Sequence, residues 1–153
     1  MKKQVLSAVC TALTVLSLTG CKEQSPEPQP EGAVISVDFS AVSDPVYRMD
    51  IEYFLDGELI GGMACSHADE TPMIGKTEFV LTEAEFPAES KRENFTFYLV
   101  ISGDASGINK MFSEASLIAH TEESSAFTAE FGRTYAYSVT GSYKDGFVLH
   151  AAG

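Results

Sequence analysis

From Ala33 onward, apolar and polar residues alternate with a period of two, the spacing at which side chains return to one face of a strand. Ile35, Val37, Phe39 and Ala41 alternate with Ser36, Asp38 and Ser40. Tyr47, Met49, Ile51 and Tyr53 alternate with Arg48, Asp50 and Glu52, and Asp56-Gly57 follows, a dipeptide suited to the positive φ angles of a two-residue hairpin turn. Leu59 and Ile60 begin the return strand. Phe79 and Leu81 mark another, and Phe95, Phe97, Leu99 and Ile101 alternate with Thr96, Tyr98 and Val100. Phe127, Ala129 and Phe131 predict a further strand. Tyr135, Tyr137, Val139 and Gly141 make the next, and after a turn at Lys144-Asp145-Gly146 the stretch 147–151 closes a last hairpin.

One segment departs from this rule. Ile108, Met111, Phe112, Ala115 and Ala119 follow helical spacing, which predicts one short helix, although 117–120 reads equally well as a strand. About seven short strands with hairpin turns and so little helix signal predict an all-β chain, an antiparallel β-sandwich over residues 33–153. Its 10 phenylalanines and 6 tyrosines supply large areas for one core.

The first 32 residues obey a different logic. Met1-Lys2-Lys3 is positive, and an apolar run from Val5 to Leu18 follows that is short for a bilayer span, so residues 1–20 read as a secretory signal. Residues 21–32 contain Pro26, Pro28 and Pro30 at alternate positions and no apolar side chain able to anchor a fold. They predict a tether. In polyproline conformation, at ~3.1 Å per residue, it reaches roughly 30 Å.

Leu18-Thr19-Gly20-Cys21, at the junction of these two parts, resembles the lipobox of bacterial lipoproteins. The resemblance implies cleavage before Cys21 and lipidation of its sulfur, with multiple acyl chains holding the protein to a membrane of the bacterial cell envelope. Lys22 stands where an Asp would imply retention at the inner membrane, so the resemblance favours the outer membrane. Cys21-Lys22-Glu23 also looks like the surface-export signals of some Gram-negative groups, which leaves periplasmic and external orientations open. Within the domain, 131–139 looks like the turn-into-strand segment of immunoglobulin-like sandwiches, in which a tyrosine near the strand start caps backbone groups at the corner. Tyr135 or Tyr137 fills that role here. The paired cysteines and tryptophan of antibody domains are missing, and a transthyretin-like sandwich is an equal alternative.

Charge narrows the partners. The formal net charge is −12, and all 22 acidic residues follow Gly20, whereas Lys2 and Lys3 precede it. Such a chain repels phosphate backbones and anionic headgroups, so no nucleic acid is expected, and the membrane is reached through covalent lipid rather than a basic patch. Another envelope protein is the expected macromolecular partner. With Cys10 in the signal and Cys21 lipidated, Cys65 has no intramolecular disulfide partner.

Met63, Cys65 and His67, with Met73 nearby, are the soft metal ligands of the sequence. Thioether, thiolate and imidazole suit monovalent copper, so a periplasmic copper(I)-binding lipoprotein is the alternative function, with copper as its cofactor. Register decides between a site and a core. A regular two-residue hairpin at Asp56-Gly57 pairs Tyr53 with Ile60 and turns Met63 and Cys65 outward, whereas a bulge at Gly61-Gly62 turns them inward. The expectation is the bulge, a buried Cys65 and no cofactor.

No catalytic constellation is visible. His67, His120 and His150 stand apart, no Gly-x-Ser-x-Gly elbow or His-Glu-x-x-His occurs, and Glu83 with Glu85 or Glu122 with Glu123 lack the spaced pattern of a calcium loop. The sequence predicts a non-catalytic binding or structural module, not an enzyme. The loops 68–77 and 103–110 are the candidates for a binding periphery on a rigid scaffold.

Overall fold

A computed structural model of the chain describes residues 31–88, 90–104 and 117–153. The signal, Cys21 and all of the tether before Glu31 lie outside the described residues, as do Ile108, Met111, Phe112 and Ala115 of the expected helix. Ala119, assigned above to that helix, belongs to a strand.

The described residues form eight strands: β1 (Ala33–Asp38), β2 (Arg48–Leu55), β3 (Glu58–Ser66), β4 (Lys76–Leu81), β5 (Phe95–Ser102), β6 (Ile118–His120), β7 (Thr134–Ser142) and β8 (Gly146–Ala151). They make two four-stranded sheets, ordered β4-β1-β7-β8 and β3-β2-β5-β6. Every pair is antiparallel except β1 with β7, which run parallel from Val34 opposite Thr134 to Asp38 opposite Ser138. The fold is thus the expected β-sandwich with one parallel pair added. In immunoglobulin constant domains the first strand shares a sheet with the second. Here β1 instead lies between β4 and β7.

Alternation places the core. Met49, Ile51, Tyr53 and Leu55 of β2 and Phe95, Phe97, Leu99 and Ile101 of β5 face Ile35, Val37, Phe79, Leu81, Tyr137, Val139 and Phe147 of the other sheet, all of them buried. Burying an aliphatic or phenylalanine side chain of this kind contributes about 1.5–3 kcal/mol, which makes this interior the main source of stability. Phe97 and Tyr137 meet edge-to-face across the two sheets, with centroids 4.8 Å apart and planes at 89°.

The expected strand at Phe127, Ala129 and Phe131 does not form. Phe127 makes one isolated bridge with Phe95, while its ring packs on those of Phe95 and Tyr135 at 5.3 and 4.4 Å. Ala129 is buried, and its N–H donates to the Arg92 carbonyl at 3.0 Å. The alternation in this segment therefore reflects an aromatic plug at one end of the sandwich rather than a ladder.

Strand directions give the sandwich two distinct ends. At the first, the chain enters at Ala33, Gly132 donates to the Gly32 carbonyl at 2.9 Å, and Asn94 Nδ2 donates to Asp56 Oδ1 at 2.8 Å. Asp56 and Gly57, at φ 52° and 81°, form the expected positive-φ hairpin turn there. At the opposite end emerge 39–47, 67–75 and the β7–β8 turn at 143–145. Tyr143 ties that end together, its N–H donating to Asp44 Oδ2 at 2.9 Å and its hydroxyl to the Pro45 carbonyl at 3.2 Å.

Candidate functional site

The β2–β3 hairpin decides where the soft ligands go. Leu55 pairs with Glu58 and Phe54 with Leu59, but Tyr53 pairs with Gly61, so Ile60 is the extra residue. The bulge exists one residue earlier than expected. Its effect is the expected one: Met63 falls opposite Ile51 and Cys65 opposite Met49, on the inward face. Gly61 is required at this place, because a Cβ would lie 2.7 Å from the Tyr53 hydroxyl and 2.9 Å from its ring.

Burial is less complete than the sequence predicts. Met63 and Cys65 are half-buried and pack against the core, because β3 is the edge of its sheet. The Thr77 hydroxyl, on the edge strand β4 of the other sheet, donates to Cys65 Sγ at 3.1 Å. That contact closes the side of the sandwich, and no sequence signal marks it. Met73 is buried in the core, its N–H donating to the Val46 carbonyl at 2.7 Å. His67 lies beyond the end of β3, exposed, with Nδ1 3.0 Å from Thr71 Oγ1. The structure thus turns Met63, Cys65 and Met73 inward and leaves His67 outside. Among the described residues no three His, Cys, Asp or Glu side chains are grouped to hold a metal.

The corner tyrosine is Tyr135. Its hydroxyl donates to the Thr128 carbonyl at 2.5 Å and accepts from the Glu130 N–H at 3.0 Å, capping the backbone that leads into β7. Tyr137 instead points into the core, where burial holds its phenol above the ordinary range.

Sequence reasoning missed the cluster on the outer face of β3-β2-β5-β6. Arg48 Nε and Nη2 each donate at 2.8 Å to the two carboxylate oxygens of Asp50. Burial raises the Asp50 pKa more than this pairing lowers it. Beside them Tyr98 donates to Glu52 Oε2, and that hydrogen bond, with burial, pushes the phenol up to about 12. The Tyr98 ring contacts those of Phe54 and His120, each with centroids 5.8 Å away. The signal was present in the polar half of the alternation, Arg48, Asp50 and Glu52, which reads on its own as solvated surface. Chemically the cluster is a set of satisfied pairs: a carboxylate held by a guanidinium and another held by a phenol.

Of the acidic pairs, one member has a local structural role. Glu85 closes a capping box on the single 3-10 turn Glu83–Glu85, accepting from the Thr82 N–H at 2.7 Å and hydroxyl at 2.6 Å. Glu122 and Glu123 are exposed. Of the expected loop 68–77, residues 68–75 lie at the end away from Ala33 while Lys76 and Thr77 already belong to β4; the described start of the other, Gly103-Asp104, lies at that same end, and its residues 105–110 lie outside the described residues.

No protein-family model matches the chain, and no curated protein matches it. Among solved structures it is similar to a chain of a disulfide-locked mutant of intermedilysin with human CD59, at 8% identity and a TM-score of 0.31. The match covers 79% of this chain and 24% of that one, so this chain spans about a quarter of the length of the structure it matches.

Proposed function

We propose that the chain is a lipid-anchored, non-catalytic lipoprotein of the bacterial cell envelope, held at the outer membrane through Cys21 and acting as a binding or structural module. The observation that carries this reading is the polarity of the sandwich. The Pro-rich segment joins at Ala33, and the loops 39–47 and 67–75 with the 143–145 turn emerge at the other end. A domain tethered at its first end presents the second to whatever lies beyond the membrane.

The partner of that end is another envelope protein rather than nucleic acid, given the net charge of −12. Asp50, Glu52 and Glu85 are each hydrogen-bonded to a neighbour and serve the scaffold in this reading. Fractionation of cells expressing wild type and Cys21→Ser tests the anchor. The wild-type chain is expected in outer-membrane fractions and the variant outside them; equal recovery of the two in outer-membrane fractions would overturn the reading.

A further inference from the structure

At the end where the Pro-rich segment joins, two adjoining hollows of about 470 and about 350 Å³ share Glu83, Ala84 and Phe131. The smaller begins at Glu31, where the described chain starts, and the larger runs on to Phe86, Ser90 and Arg92. Two aromatic rings wall this groove, Phe86 and Phe131, with centroids 6.0 Å apart and planes at 55°. The Arg92 guanidinium lies 3.9 Å from the centre of the Phe131 ring, fixed there without a carboxylate partner among the described residues.

We propose that this groove is the docking site of the chain's own Pro-rich segment, residues 26–30. A prolyl segment has carbonyl acceptors but no N–H at each proline, and it favours the extended conformation that aromatic-lined grooves accept. The groove offers the complement. Phe86 and Phe131 line it with apolar ring surface, and Arg92 offers several N–H donors. Glu27, between Pro26 and Pro28, is the carboxylate that meets Arg92; Glu83 is the acidic residue lining the larger hollow.

Connectivity favours this occupant over a separate molecule. Residue 30 is bonded to Glu31, which already lines the groove, so docking closes a loop of only a few residues, with a small entropic cost. Docking also shortens the tether. Residues 21–25 alone then separate the anchor from the domain, about 15 Å at ~3.1 Å per residue. The sandwich is held close to its anchor with the loop end pointing away. The docking itself does not depend on the anchoring reading; the shortened tether rests on it.

The chain contains no tryptophan, so Gln29→Trp supplies a unique fluorophore. The measurement uses the otherwise complete secreted chain carrying Cys21→Ser, free of lipid, so that failure of the anchor leaves the readout intact. A blue-shifted emission with reduced acrylamide quenching is expected, and Arg92→Gln should return both to the values of a solvent-exposed indole. The triple replacement of Pro26, Pro28 and Pro30 by serine, which leaves the folded domain untouched, should do the same. Solvent-like emission in the starting chain would overturn the proposal, as would a blue shift that survives both sets of replacements.

Discussion

The Tyr135 hydroxyl bridges the Thr128 carbonyl and the Glu130 N–H, fixing the corner from which the chain enters β7. Because β7 is the parallel neighbour of β1, this corner also sets the central pairing of one sheet. Tyr135→Phe removes both hydrogen bonds while keeping the ring contact with Phe127. It is expected to lower stability by about 1 kcal/mol, read from the urea midpoint at unchanged slope.

Gly61 sits beneath the Tyr53 ring, which itself stacks on Phe95 at 5.9 Å and has no room to withdraw. Gly61→Val forces that ring or the bulge to move. The expected cost is about 1–3 kcal/mol in chemical denaturation. An unchanged midpoint would show that the register around Ile60 is not the one described.

The Tyr98 phenol is held at about 12 chiefly by its hydrogen bond to Glu52. The folded chain therefore keeps a proton that the unfolded chain gives up near pH 10, so stability should fall as pH rises from 10 through about 12. Glu52→Gln removes the Tyr98 share of this slope, while the shares of Tyr53, Tyr137 and Tyr143, whose phenols burial also raises, remain. In a spectrophotometric titration one tyrosine should move toward pH 10 in the variant, and the late-titrating amplitude should shrink accordingly.

Cys65 faces the interior and receives the Thr77 hydroxyl, so alkylation should be slow in the native chain and fast in urea. Copper(I) should leave the native rate unchanged. Rapid native labelling blocked by copper(I) would favour the metal reading through Met63, Cys65, His67 and Met73 instead.

What the sequence makes legible follows from what is local. Alternation of period two located β1, β2, β5 and β7, the turn at Lys144-Asp145-Gly146 placed β8, and Asp56-Gly57 announced its own turn. The existence of a bulge was readable from Gly61-Gly62, but its position was not. The insertion falls at Ile60, because Gly61 is needed opposite Tyr53. Phe127, Ala129 and Phe131 alternate as a strand does, yet they serve aromatic packing against Phe95 and Tyr135, which depends on where β5 and β7 begin. Likewise, the parallel β1–β7 pair joins segments that no local window contains, and the Thr77–Cys65 contact, though only 12 positions apart, depends on how the edges of the two sheets meet.

The anchor at Cys21 is the claim on which the role rests, and mass spectrometry of the amino-terminal peptide from membrane-extracted protein tests it most directly. The account predicts a peptide beginning at Cys21 and heavier by the lipid on its sulfur. A peptide that runs through Gly20 into an unmodified Cys21 would contradict it.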